Sequence, residues 1–131
     1  MKTNKLISLG KIFAIAILIL GIIHDIATFT PLIKGGLACL TPGDLNAMIY
    51  MSLICGTSLI LAGLVLILLL KKVEQFVFLS STILLIGVFL ALSGILSVVY
   101  MFDNPFAWLA LLLNLIMFGI TIGLKMKLDN K

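Results

Sequence analysis

Few side chains in this 131-residue chain can do acid–base, nucleophilic or metal chemistry. The sequence has a single histidine, His24, and two cysteines that form no Cys-x-x-Cys motif. One histidine cannot supply bis-histidine haem ligation, and this cysteine content cannot hold a metal cluster alone. A hydrolase would have to use the same histidine as its base. The sequence therefore favours a protein that is not an enzyme, and we predict no resident cofactor and no metal.

Charged residues are also scarce, at 11% of the chain, whereas 63% of the residues are hydrophobic and the mean hydropathy is +1.34. Such a composition leaves too little polar surface to cover a water-soluble globule. The charges lie between four apolar segments, each long enough for the about 20 residues that cross a bilayer. The pattern predicts transmembrane helices at residues 7–29, 45–70, 73–101 and 105–124.

These segments fill most of the chain, so we expect a single all-α domain, a polytopic membrane protein. The first segment follows several lysines, as a secretory signal would, but Ile22-Ile23-His24-Asp25 offers no small-residue cleavage site and predicts an uncleaved helix. In every segment, small and polar residues recur at spacings of three and four, which predicts a left-handed antiparallel four-helix bundle. The stripes are Gly10, Ala14, Ile17, Gly21, His24 and Thr28; Ser52, Gly56, Leu59 and Gly63; Ser80, Leu84, Gly87, Ala91 and Gly94; and Ala107, Ala110, Asn114, Met117 and Thr121.

The lysines predict an orientation, because cytoplasmic loops retain positive charge and translocated loops lose it. With the amino terminus inside, only Lys34 faces out. We therefore expect the chain in the cell membrane with both termini cytoplasmic. This bias opposes insertion in both orientations as antiparallel pairs. It also accounts for the net charge of +4, so nucleic-acid binding is not predicted. The cytoplasmic lysines are Lys2, Lys5, Lys11, Lys71, Lys72, Lys125, Lys127 and Lys131.

Polar residues inside the segments gather in the half that is predicted to face outward. Ionisable groups are costly inside a membrane and are therefore candidates for function. We predict a polar pocket open to the outside that binds a lipophilic small molecule or a partner membrane subunit. Its candidate residues are His24, Asp25, Ser52, Ser93, Ser97, Tyr100 and Asn114.

Each candidate also has a purely structural interpretation. His24 and Asp25 lie near the membrane interface, where water can solvate them. Asn114 can join two helices by a hydrogen bond, and serines can bond to carbonyls of their own helix. Tyr100 suits an aromatic anchor at the headgroup level.

A second contact surface is predicted at Gly119 and Gly123, which form a Gly-x-x-x-Gly motif on the last helix. At about 100° per residue, Gly123 lies on the face opposite Asn114. Such motifs bring membrane helices into close contact, so a homodimer or a partner subunit is predicted there. The alternative is that the motif arises by chance in an apolar segment.

Several residues also resemble a known family. They are Gly21-Ile22-Ile23-His24 at the end of the first helix, Gly56 and Gly63 in the second, and Asn104-Pro105 before the fourth. This layout resembles the small four-helix DoxX-like integral membrane proteins, in which His24 and Pro105 correspond to recurring positions. The resemblance implies the fold. It also implies an alternative function as a membrane subunit of a quinone-linked oxidoreductase, although this chain has no arginine for sites that depend on one.

Another alternative is a small proton-coupled transporter. The small multidrug exporters are similar to this chain in length and helix count, but they need a carboxylate deep in the first helix. Here that helix is uncharged from Ile12 to Ile23, and Asp25 is the carboxylate that proton coupling would use.

Overall fold

A computed structural model of the protein describes residues 3–30 and 39–130. Within those ranges the chain forms four α-helices: α1 (Thr3–Thr28), α2 (Pro42–Lys72), α3 (Leu79–Tyr100) and α4 (Pro105–Asp129). The predicted all-α class is confirmed. Lys2, Lys34 and Lys131, which the predicted orientation also uses, lie outside the described residues.

All four helices are long and apolar enough to cross a membrane. The shortest, α3, has 22 residues, which gives a length of about 33 Å against a hydrocarbon core of about 30 Å. Large apolar side chains cover the outside of the bundle; Leu61, Leu85 and Val99 are 61%, 68% and 66% exposed. Water-soluble domains rarely expose such a continuous apolar surface. The chain is an integral membrane helical bundle.

Two of the helix starts are fixed by capping side chains. The Thr41 hydroxyl accepts a hydrogen bond from the Asp44 backbone N–H at 3.3 Å, and Pro42 opens α2. The Asn104 Oδ1 accepts from the Phe106 backbone N–H at 2.9 Å, and Pro105 opens α4. A capping oxygen followed by proline satisfies a free N–H group and presets the first helical φ. Both helices therefore start near the predicted positions, at the same end of the bundle.

The start of α3 differs from the prediction, since the helix begins at Leu79 rather than at residue 73. Residues 73–78 form turns instead, with the Phe76 N–H bonded to the Lys72 carbonyl at 3.0 Å. Helix–helix connections usually take two to eight residues, so both a turn at Lys71 and Lys72 and the observed connection of residues 73–78 are of ordinary length. Residues 73–78 contain no glycine or proline, and Phe76, Val77 and Phe78 continue the apolar pattern of α3.

The helices form a ring in chain order. The most extensive contacts lie within the hairpins α1–α2 and α3–α4, followed by α1–α4, while α2 and α3 touch least. The predicted small residues lie in these contacts. A Cβ on Gly21 would lie 2.7 Å from the Gly56 carbonyl oxygen, and a Cβ on Gly63 would lie 2.8 Å from the Ala14 carbonyl oxygen. Glycine thus lets the α1 and α2 backbones approach closely.

The two ends of the bundle differ in chemistry. The lysine end carries all the lysines that the structure describes, and Lys125 pairs there with Asp129 at 2.7 Å. The opposite end, called here the His24 end, carries the starts of α2 and α4. Between them, fully buried apolar side chains fill the core: Ile17, Leu66, Ile83, Leu90, Met117 and Leu124.

Candidate functional site

A cavity of about 40 Å³ lies between the four helices in the half toward the His24 end. One water needs about 10–15 Å³ of such space, so the cavity holds about three or four groups of that size. It therefore suits a polar head group better than a whole drug-sized molecule. Its lining comprises Leu20, His24, Cys55, Leu59, Ser93, Ser97, Met101, Asn104, Phe106, Ala107, Ala110 and Asn114.

Asn114 of α4 is the most buried polar side chain of this lining, at 1% exposed. Neither Oδ1 nor Nδ2 has a hydrogen-bond partner among the residues that the structure describes. The α3 backbone approaches it closely, since a Cβ on Gly94 would lie 3.4 Å from Nδ2. Leaving such a buried polar group unpaired costs about 1–3 kcal/mol. Asn114 thus offers a donor and an acceptor to a group that enters the cavity.

His24 of α1 is held by a chain of hydrogen bonds that reaches α2. The Thr28 hydroxyl donates to the His24 backbone carbonyl at 3.0 Å. Its oxygen also lies 2.7 Å from the Ser52 hydroxyl, which in turn lies 3.1 Å from His24 Nε2.

The direction of each bond follows from the number of protons. A carbonyl only accepts, so Thr28 uses its one proton on His24, and Ser52 must donate to Thr28. Ser52 then has no proton left and must accept from the Nε2–H of His24. The neutral imidazole therefore carries its proton on Nε2, which leaves Nδ1 as an acceptor.

The remaining polar lining is uncharged. The Ser97 hydroxyl donates to the Ser93 carbonyl at 2.9 Å, so it is already satisfied within α3. Asn104 contributes its amide, whose oxygen also caps α4. None of the described lining residues is a lysine or a carboxylate. Burying an unpaired ion is far more costly than burying an uncharged group that can hydrogen-bond, so the cavity suits an uncharged head group.

The structure brings four of the predicted pocket residues to the cavity: His24, Ser93, Ser97 and Asn114. Ser52 lies behind His24 as its hydrogen-bond partner. Tyr100 lies on the outer surface, 82% exposed.

Sequence reasoning missed Thr28 as a partner of Ser52, and it missed Cys55, Met101 and Asn104 as lining residues. For Cys55 a signal was present, because it follows Ser52 by three residues and precedes Leu59 by four, which places all three on one helix face. Met101 and Asn104 belong to the short connection between α3 and α4, where helical periodicity gives no guidance.

Asp25 lies outside the cavity lining, against α2. Its Oδ2 accepts a hydrogen bond from the Thr57 hydroxyl at 3.3 Å. Its Oδ1 is buried without a partner among the described residues, and a Cβ on Gly56 would overlap that oxygen. The described lysines lie at the other end of the bundle, so none of them neutralises this carboxylate.

Replacing Asp25 by asparagine is expected to raise the free energy of unfolding by about 1–3 kcal/mol, since the amide keeps the bond from Thr57 without a poorly paired buried charge. Chemical unfolding in detergent measures this change. Thr57→Val is the matched variant, because it removes the donor and keeps the charge, and we expect it to destabilise the protein. A loss of stability in Asp25→Asn would show that the charge itself holds α1 and α2 together.

The two glycines of the Gly-x-x-x-Gly motif lie in different surroundings. A Cβ on Gly119 would meet no described atom within 4 Å, and this residue faces outward. A Cβ on Gly123 would lie 3.7 Å from the Leu6 side chain, so Gly123 packs toward α1. The predicted homodimer or partner contact at this face stays a prediction.

Comparison with known proteins assigns no ligand and no reaction to the cavity. The chain matches no protein-family model, no curated protein and no solved structure.

Proposed function

We propose that this protein binds a lipophilic small molecule whose uncharged polar head enters the cavity between the four helices. Asn114 carries the proposal, because its amide is 1% exposed, lines the cavity and has no partner among the described residues. Polar groups buried in a membrane protein are usually paired, and those that are not are candidates for ligand binding.

The size of the cavity sets how such a molecule would bind. About 40 Å³ receives a head group only, so the apolar tail must lie elsewhere. The sparse contact between α2 and α3 supports a route for the tail, since this pair touches least among the four helix pairs that are in contact. Cys55 and Leu59 of α2 and Ser93 and Ser97 of α3 all line the cavity, so it reaches both of these helices. A tail between them would contact the surrounding lipid.

The lysine distribution supports an orientation of the protein in which the His24 end, and with it the cavity, faces the outer side of the membrane. Lys71, Lys72, Lys125 and Lys127 all lie at the lysine end, and positive charge favours the cytoplasmic side. We therefore place the protein in the cell membrane with both termini cytoplasmic and the His24 end outward. Ligands would reach the cavity from the outer side of the membrane.

The alternative functions use the same bundle differently. Proton-coupled transport would depend on Asp25, which lies outside the cavity lining, so binding is favoured over transport.

A second alternative, a membrane subunit of a quinone-linked oxidoreductase, is implied by the DoxX-like resemblance and remains a prediction. A quinone head presents carbonyl oxygens, which would accept from Asn114 Nδ2 and would leave the acceptor nitrogen of His24 unpaired.

Native mass spectrometry of the protein in a mild detergent tests the proposal. We expect a discrete small-molecule mass on the wild type and its loss in Ala110→Val, which adds two methyl groups to the cavity lining without removing a polar group. Ala47→Val is the matched control on the exposed start of α2 and should retain the mass. A wild-type protein without adduct, or equal retention in Ala110→Val, would contradict the proposal.

A further inference from the structure

We infer that the head group of the ligand is a hydrogen-bond donor that His24 Nδ1 accepts, and that Thr28 and Ser52 are positioning residues for this nitrogen. The inference rests on the proposed function, whose ligand it specifies. It starts from the chain of bonds at 3.0, 2.7 and 3.1 Å that runs from the His24 carbonyl through Thr28 and Ser52 to His24 Nε2.

This chain can run in one direction only while Thr28 donates to the His24 carbonyl. Thr28 is 1% exposed and lies one helical turn after His24, so its bond to that carbonyl is shielded from water. With the proton of Thr28 committed, Ser52 donates to Thr28 and accepts from Nε2–H. The α1–α2 packing therefore selects one tautomer of His24 and keeps the lone pair on Nδ1.

The hydrogen-bonding atoms of His24 and Asn114 together determine which head groups can bind. The imidazole presents an acceptor at Nδ1, and the Asn114 amide presents a donor at Nδ2 and an acceptor at Oδ1. A hydroxyl group matches both residues, because it can donate to Nδ1 while it accepts from Nδ2. An ether or a ketone lacks the proton for Nδ1. A carboxylate would place a negative charge against that lone pair, with no described cation in the lining. The geometry thus favours an uncharged amphiphile with a hydroxyl head.

The tautomer can be observed without any ligand. Since the chain has one histidine, ¹⁵N-histidine labelling gives the signals of a single ring. We expect the neutral ring to carry its proton on Nε2. Thr28→Val releases the Ser52 proton for Nε2 and should shift the ring toward the Nδ1–H form, whereas Thr28→Ser should keep the wild-type spectrum. A neutral wild-type ring protonated on Nδ1 would overturn the inference, as would a Thr28→Val spectrum identical to wild type.

The ligand class is tested with two probes of similar apolar character, 1-decanol and 1-methoxydecane, added to the protein in lipid nanodiscs. Ligands that bind only the folded state raise the unfolding temperature. We expect decanol to bind about tenfold more tightly than the methyl ether, the effect of one additional hydrogen bond. This preference should persist in Thr28→Ser and disappear in Thr28→Val.

The outcomes separate this inference from the proposed function. Equal protection by the alcohol and the ether would overturn the role of His24 Nδ1 and leave binding of a lipophilic molecule in place. Protection by neither probe would overturn both.

Discussion

Replacing Gly21 by alanine is expected to lower the free energy of unfolding by about 3 kcal/mol or more. The added Cβ would lie 2.7 Å from the Gly56 carbonyl oxygen and 2.9 Å from the Ile60 nitrogen. Both are backbone atoms, which cannot rotate away as a side chain can, so α1 and α2 must separate. Equilibrium unfolding in mixed detergent micelles measures the loss.

Gly119→Ala is the matched control for this variant. Apart from its chain neighbours and the backbone of its own helix, no described atom lies within 4 Å of the position of its Cβ. Alanine also favours a helix over glycine by up to about 1 kcal/mol. We expect unchanged or slightly raised stability. Similar losses in both variants would show that helix flexibility rather than close backbone contact explains the result at Gly21.

Asn114→Leu is expected to raise the free energy of unfolding of the ligand-free protein by about 1–3 kcal/mol and to abolish the retained small molecule. Leucine has the same number of side-chain heavy atoms, branched at the same carbon, and it removes two buried polar atoms that have no partner among the described residues. An unpaired buried polar group costs about this amount. Thermal unfolding and native mass spectrometry of the same sample measure both effects. Opposite changes in stability and binding are typical of a residue kept for function.

Ser80→Ala is the control for this second variant. The Ser80 hydroxyl is also buried, at 1% exposed, and also lacks a partner among the described residues. It lies in the first turns of α3, outside the cavity lining. We expect a smaller gain in stability and unchanged ligand retention. If Asn114→Leu lowers stability, its amide is an interhelical hydrogen-bonding group, and the proposed function loses its main support.

Sequence periodicity predicted the fold because the packing of membrane helices depends on small residues at regular spacings. Gly21, Gly63 and Gly94 were placed on helix interfaces by that spacing, and each lies against a neighbouring backbone in the structure. Capping residues located the starts of α2 and α4 equally well. The start of α3 was misplaced because no glycine or proline follows Lys72 to mark the connection.

The candidate site was less predictable because it depends on how neighbouring helices are rotated against each other. The sequence predicted that Ser52 and Tyr100 share a pocket with His24. The sequence of one helix, however, does not determine which of its faces contacts a neighbouring helix. The structure rotates Tyr100 outward and places Ser52 on His24 Nε2. The depth of each site residue along its helix could be predicted from the sequence, whereas its hydrogen-bond partner on a neighbouring helix could not. The functional roles of these residues stay predictions.

The slight contact between α2 and α3 has a consequence for biogenesis. The most extensive contacts join helices that are adjacent in sequence, α1 with α2 and α3 with α4. The α1–α2 hairpin can therefore form during translation before α3 and α4 have been synthesised. The cavity is completed last, because α4 supplies Ala107, Ala110 and Asn114 to its wall. A molecule that binds the cavity as proposed would therefore bind only the finished bundle and would stabilise it after assembly.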